Sequence, residues 1–269
     1  MLLIADNLQI IHSPVADAVA AQNVDAIAAM VQRYVAAGAQ AIDINAGPLP
    51  RDAEKKMAFL VRAVRAVTGL PLVLDTVNPA AIAAGLGEDA KNTIINGFSL
   101  EPARLDAVLP LAQQFNATII GYLLRADGHV PADADERLKI AGDLYQAFES
   151  TGLDRSRLII DPVLVPLSWR RGTFQAREVL NVIRYLPDLL GFQVKTVIGL
   201  SNLTAGSGKR SKRVYVEQAY LALLAAAGLD MALVNVLHQG TVRTSRACRD
   251  LLSDNIFVWE EERGHGVQP

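Results

Sequence analysis

Pro71-Leu72-Val73-Leu74-Asp75 is a short apolar stretch that ends on a carboxylate, and the chain repeats this pattern further along. The other stretches that end in this way are Thr93-Ile94-Ile95-Asn96, Leu158-Ile159-Ile160-Asp161 and Val197-Ile198-Gly199-Leu200-Ser201-Asn202. A short apolar run between helical segments is typical of a parallel strand that is buried on both faces. A polar side chain at the carboxyl end of such a strand faces the mouth of an α/β barrel, where these enzymes carry their active sites.

Strand and helix patterns alternate along the whole chain. The predicted strands are residues 2–4, 41–45, 72–75, 93–96, 117–121, 158–161, 196–200 and 231–234. The predicted helices are residues 24–37, 51–68, 79–84, 102–115, 133–151, 175–186, 213–227 and 241–252. Such alternation predicts parallel strands with right-handed crossovers, and this number of units favours a single closed (βα)8 TIM barrel of the α/β class.

Composition agrees with one large domain. The chain has 269 residues, of which 51% are hydrophobic, and no Pro/Ser-rich linker divides it. We expect residues 1–262 to form the barrel domain and residues 263–269 to form a frayed, polar tail. The net charge of -2 gives no nucleic-acid footprint.

Cysteine usage and hydropathy bear on the cellular compartment. Cys248 is the one cysteine of the sequence, so no internal disulfide is possible and a reducing compartment is expected. The first residues lack the basic start of a signal peptide, and no apolar run reaches the ~20 residues that cross a bilayer. We therefore expect a cytoplasmic protein without membrane contact.

The polar strand ends have competing interpretations. Asp43 and Asn45 share one face of their strand, and a buried network that orients loops is about as plausible for them as ligand contact. A carboxylate such as Asp75 or Asp161 can accept two N–H groups of a flat heterocycle, or it can cap a helix or brace a loop. Asn202 either meets a ligand or begins an Asx-turn. Because several strands end in the same way, a shared site that binds a heterocycle rich in N–H groups is favoured.

Other features argue against competing chemistries. His12, His129, His238 and His265 are scattered without metal-ligand spacing, so no dedicated metal site is expected. No glycine-rich dinucleotide fingerprint follows a predicted strand. The basic run at 209–213 lies in a barrel loop that often binds phosphate, but a solvated loop is the preferred interpretation.

The strand-end motifs, taken in order, resemble the pterin-binding barrel family, and within it the methyltetrahydrofolate:corrinoid-protein methyltransferases. The matching segments are Gly38-Ala39-Gln40-Ala41-Ile42-Asp43-Ile44-Asn45, Leu74-Asp75-Thr76, Ile95-Asn96-Gly97, Ile160-Asp161-Pro162, Gly199-Leu200-Ser201-Asn202 and Ala227-Gly228-Leu229-Asp230. They span nearly the whole chain, and the set is far more specific than any one motif.

The resemblance implies a role for each matching residue. Asp75, Asn96 and Asp161 would hold the amino-pyrimidine edge of the pterin, and Asn202 would reach N5, the nitrogen that carries the methyl group. Tetrahydrofolate or 5-methyltetrahydrofolate would be the substrate, and a partner protein would carry the corrinoid, cobalamin, in a homodimeric cytoplasmic enzyme. The residues expected to support this site are Asp6, Asp43, Asn45, Ser201 and Arg213.

Departures from the family pattern keep alternatives open. The usual Gly-Glu-Arg-Ile/Thr-Asn start is here Ala5-Asp6-Asn7-Leu8-Gln9, a polar residue is replaced by Ala205, and strand eight exits without acidic residues. Dihydropteroate synthesis is a weaker alternative, because Gly47-Pro48-Leu49-Pro50 replaces the Ser-Thr-Arg-Pro type loop of those enzymes. A non-catalytic folate-binding scaffold for a corrinoid partner is the other alternative.

Overall fold

The computed structural model describes residues 1–47, 52–206 and 208–254. Within them, eight parallel strands close into one barrel in sequence order. The strands are β1 (Leu2–Gln9), β2 (Ala41–Asn45), β3 (Leu72–Asp75), β4 (Thr93–Phe98), β5 (Thr118–Tyr122), β6 (Leu158–Asp161), β7 (Lys195–Gly199) and β8 (Met231–Val234). This confirms the predicted (βα)8 TIM barrel.

Helices surround the barrel and alternate with its strands. They are α1 (Ser13–Ala20), α2 (Val24–Ala37), α3 (Ala53–Arg65), α4 (Pro79–Glu88), α5 (Pro102–Phe115), α6 (Ala134–Glu149), α7 (Gly172–Leu190), α8 (Arg210–Ala227) and α9 (Gln239–Leu251). Short 3₁₀ helices at Arg155–Arg157 and Leu200–Thr204 precede β6 and follow β7. The predicted tail at 263–269, the loop at 48–50 and the predicted helix start at residue 51 lie outside the described residues.

The strands are apolar because both of their faces are buried. One set of side chains fills the inside of the barrel, namely Ile4, Ala41, Val73, Ile120, Ile159, Val197, Met231 and Leu233. The alternate set, which includes Ile42, Leu74 and Ile198, packs against the helices. A parallel sheet that is covered in this way reads as continuous apolar runs, and only its carboxyl ends are left for polar side chains.

Local signals fix several helix ends. The Asn78 side chain accepts from the backbone N–H groups of Ala80 and Ala81, and Pro79 occupies the first turn of α4, as predicted. Asn23 caps α2 in the same way, and Gly38 ends that helix in the left-handed conformation with φ of 111°. These signals fix ends of α2 and α4, the helices before β2 and after β3 in the chain.

Several elements differ from the sequence prediction. β1 runs on to Gln9, although Asp6 and Gln9 break its apolar pattern, because its backbone continues to pair with β2. Helix α1 was not predicted; it is short and buries one small face. Helix α7 continues past Pro187 to Leu190, and Gly191 caps it in the left-handed conformation.

Candidate active site

Strand register places three polar side chains in one row at the mouth of the barrel. Asn45 pairs with Asp75, and Asp75 pairs with Asn96, across β2, β3 and β4. The Asn45 amide Nδ2 donates to Asp75 Oδ2 at 2.7 Å, and its Oδ1 accepts the backbone N–H of Gly47 at 3.2 Å. Asn45 therefore orients Asp75, which is the network interpretation considered from the sequence.

The Asp75 carboxylate is held in an unusual electrostatic state. Burial and then the negative charge of Asp6 raise its pKa to about 6, against the charge of Arg104, which lowers it. The ionised form of such a carboxylate is stabilised when a ligand donates N–H hydrogen bonds to it. This is the behaviour expected of a binding group rather than of a structural ion pair.

The tyrosine that ends β5 was missed by the sequence prediction. The Tyr122 hydroxyl donates to Oδ1 of Asn96, which leaves the Asn96 amide nitrogen as the donor toward a ligand. Burial, with the charges of Asp75 and Asp161, raises the pKa of Tyr122 well above its usual range, so the hydroxyl keeps its proton. Had the predicted strand extended by one residue beyond Gly121, the strand-end rule would have found Tyr122.

Asp161 ends β6 beside Tyr122 in the strand register. Its Oδ1 accepts the backbone N–H of Val163 at 2.8 Å, so part of the carboxylate braces the loop. Val163 adopts a left-handed φ of 63°, which costs a β-branched residue on the order of 1–3 kcal/mol. Burial raises the pKa of Asp161 to about 7, against the Val163 hydrogen bond and the charge of Arg137.

A fully buried arginine on α6 was also missed. Arg137 Nε donates to the carbonyl oxygen of Pro131 at 2.9 Å, and Nη2 donates to Oε1 of Gln175 at 3.2 Å. Burial lowers its pKa to about 10, yet it stays charged at neutral pH and lowers the pKa of Asp161. Arg137 thus keeps a share of Asp161 ionised. The sequence carried no signal that Arg137 is buried, because helical arginines usually face solvent.

Asp43 lies deeper in the barrel than the other carboxylates. It is fully buried, and neither oxygen has a hydrogen-bond partner among the described residues. Burial raises its pKa well above the usual range, and the charges of Asp75 and Asp6 raise the pKa further. Burial without a hydrogen-bond partner favours the neutral form of a carboxylate. Its full burial places Asp43 beneath the site and not at its open surface.

Asn202 lies beyond the end of β7, not at the end of the strand as predicted. It is exposed, within the 3₁₀ helix Leu200–Thr204. A Cβ built on Gly199 would lie 3.0 Å from Asn202 Nδ2, so the side chain folds back over the last residue of the strand. The glycine at this position lets the Asn202 amide reach the barrel mouth.

A cleft of about 350 Å³ opens at the carboxyl ends of β1, β7 and β8, next to these residues. Its lining includes Asp6, Gln9, Ser201 and Arg213. Asp6, Ser201 and Arg213 were expected to support the site, and Asp6 and Gln9 belong to the segment that departs from the family pattern. Gln9 Nε2 donates to Asp6 Oδ1, and Ser201 Oγ donates to Asp6 Oδ2 at 3.5 Å. Burial raises the pKa of Asp6 against these hydrogen bonds and the charge of His12.

Two further observations concern metal ligands and membrane-spanning helices. Among the residues that the structure describes, no three His, Cys, Asp or Glu side chains converge as metal ligands would. No helix in the described ranges is both long enough and apolar enough to span a bilayer. The side chains at the barrel mouth supply carboxylates and amides as hydrogen-bonding groups.

The chain belongs to the pterin-binding enzyme family: the family model described as Pterin binding enzyme matches residues 11–235. Similarity to individual proteins is more distant. The methylcorrinoid:tetrahydrofolate methyltransferase of Eubacterium limosum is 23% identical over 202 residues, which are 74% of this chain and 72% of that protein. The methionine synthase of Mycobacterium tuberculosis is 26% identical over 212 residues, 74% of this chain but 17% of that much longer protein.

A solved structure shares the fold. The dihydropteroate synthase of Xanthomonas albilineans with 4-aminobenzoic acid superposes with a TM-score of 0.70 at 21% identity, covering 94% of this chain and 93% of that chain. At this identity the likeness shows the fold alone. The protein is therefore a pterin-binding (βα)8 barrel, and its reaction has to be inferred from the residues at the mouth.

Proposed function

We propose that this protein moves a methyl group between N5 of tetrahydrofolate and the cobalt of a corrinoid that a partner protein carries. The observation that carries the proposal is the row of Asp75 and Asn96 on neighbouring strands, with Asp161 and Asn202 contributed by β6 and the segment after β7. The named relative from Eubacterium limosum supports this assignment by its similarity.

The carboxylates suit the amino-pyrimidine edge of a pterin. That edge presents an amino group and a ring N–H side by side, and an ionised carboxylate accepts both in bidentate fashion. We assign this role to Asp161, and we assign the remaining ring contacts to Asp75 and to the Asn96 amide nitrogen. A pterin bound there would replace solvent around two carboxylates whose pKa values burial already raises.

Asn202 is assigned to N5. During transfer to cobalt(I), the N5–carbon bond breaks and its electron pair stays on nitrogen, while the cobalt electron pair forms the new cobalt–carbon bond. Nitrogen then takes up a proton. A donor fixed beside N5 stabilises the charge that develops there, and the same contact serves the reverse direction because both directions share one transition state.

The first test is a direct assay of the transfer. Mixing the protein with cob(I)alamin and 5-methyltetrahydrofolate is expected to convert the cob(I)alamin absorbance spectrum to that of methylcobalamin. Folate binding by calorimetry without any methylcobalamin would contradict the proposal and favour a non-catalytic scaffold. Release of pyrophosphate from a pterin pyrophosphate and p-aminobenzoate would instead favour dihydropteroate synthesis.

Folate binding is expected to weaken as the pH falls. The ionised forms of Asp161 and Asp75 accept the N–H groups, and their pKa values are about 7 and about 6. Protonation removes the acceptor, so the Kd is expected to rise by about tenfold for each pH unit below about 7, and more steeply below about 6. Equilibrium dialysis with 5-methyltetrahydrofolate across this pH range measures the change in Kd. A constant Kd would contradict the assigned contacts.

A further inference from the structure

Asp6 occupies a position between the two halves of the site. It lies on β1, which pairs with β2, the strand that carries Asp43 and Asn45. Its charge raises the pKa values of Asp75 and Asp43 inside the barrel. On its other side it receives the hydrogen bond of Ser201, the residue next to Asn202. It also lines the cleft at the ends of β1, β7 and β8, which connects it with solvent.

The other carboxylates of the barrel strands, and Glu217 on the cleft wall, each have a reason not to act as the acid. Asp75 and Asp161 are needed in their ionised forms to hold the ring under the proposed function. Asp43 is fully buried and has no hydrogen-bond partner among the described residues that could carry its proton away. Glu217, on the cleft wall, accepts a hydrogen bond from the Thr204 hydroxyl.

We infer that Asp6 is the acid that protonates N5 as the methyl group leaves, with the Ser201 hydroxyl as the relay. The inference rests on the proposed methyl transfer. The Asp6 proton passes to Ser201 Oγ, the Ser201 hydroxyl proton passes to N5, and Asp6 ends as a carboxylate. The N5–carbon electron pair stays on nitrogen and forms the new N–H bond, while cobalt(I) supplies the pair that bonds the methyl carbon.

The surroundings of Asp6 suit a group that carries a proton and is reloaded from solvent. Burial favours its neutral form. The hydrogen bonds of Gln9 and Ser201 and the charge of His12 favour the ionised form that follows the transfer. Arg213, Glu217 and His238 also line the cleft, and exposed His12 lies at its rim as a route for protons from water.

Single-turnover transfer at saturating 5-methyltetrahydrofolate, followed by cob(I)alamin absorbance, tests the role. Asp6→Asn is expected to be slower by about 100-fold, the lower end of the range for a general acid, because water supplies part of the proton. The wild-type rate is expected to fall as the pH rises through the pKa of Asp6, and the Asp6→Asn rate is expected not to follow this fall. Asp17→Asn, at an exposed position on α1, is the matched control.

Two readouts separate an acid from a structural residue. Acetic acid is expected to accelerate Asp6→Asn in proportion to its concentration, since the cleft admits it, and not to accelerate the wild type. Asp6→Glu is expected to recover most of the rate. Ser201→Ala, at an exposed position that tolerates the change, is expected to slow transfer by about tenfold at an unchanged folate Kd.

The outcomes distinguish this inference from the proposed function. If the wild type transfers methyl and Asp6→Asn keeps the wild-type rate and pH profile, the role of Asp6 is wrong while the function stands. A wild-type rate in Ser201→Ala removes the relay. If the wild type transfers no methyl group to cob(I)alamin, the proposed function is wrong and the role of Asp6 is wrong with it.

Discussion

Replacing Asp161 with Asn is expected to weaken the binding of 5-methyltetrahydrofolate by about 10²–10⁴-fold. The ionised carboxylate would accept two N–H groups of the ligand, and hydrogen bonds to a charged group are worth about 1.5–3 kcal/mol each. An amide offers one acceptor oxygen and turns its own N–H2 group toward a ligand donor. The variant therefore loses one contact and gains a clash of donors.

Calorimetry at about pH 8, where the wild-type carboxylate is ionised, gives the cleanest comparison. Asp188→Asn, an exposed carboxylate on α7, is the matched control and is expected to bind as the wild type does. Folding is expected to survive: burial raises the native pKa of Asp161, so its ionisation costs stability as the pH rises through about 7, and Asn has no such cost. A Kd within about threefold of the wild-type value would contradict the assignment.

Asn202→Ala is expected to reduce the single-turnover rate of methyl transfer by about 10²–10³-fold, with a much smaller change in folate Kd. The reason is that the charge on N5 develops only as the carbon–nitrogen bond breaks, so a contact to N5 is strongest in the transition state. The side chain is exposed in the 3₁₀ helix after β7, and its removal leaves no cavity.

Stopped-flow absorbance of cob(I)alamin measures the rate, and dialysis with labelled folate measures the Kd. Asn181→Ala on α7 removes an amide from the outer helical layer and serves as the control. Equal losses in rate and in binding would show that Asn202 acts on the bound substrate in general. An unchanged rate would exclude it from the reaction.

The sequence alone predicted the barrel and several side chains at its mouth. Asp75 and Asp161 were found because a parallel strand is apolar until its last residue, so a polar group there stands out. Tyr122 was missed because its strand was predicted to end one residue too early, at Gly121. Aromatic residues also fit the interior of a strand as well as its end. Asn202 was identified, but its place beyond the strand in a 3₁₀ helix was not.

What the sequence determined by itself is the order of strands and helices and therefore which end of the barrel carries polar groups. Both are set by local hydrophobic period and by caps such as Asn78 and Gly38. Only the tertiary structure decided the charge state of the site. Burial raises the pKa of Asp161 and the charge of Arg137 lowers it, whereas burial and the charge of Asp6 both raise the pKa of Asp75. Burial and charge depend on distances through space between residues far apart in the chain, which no local pattern records.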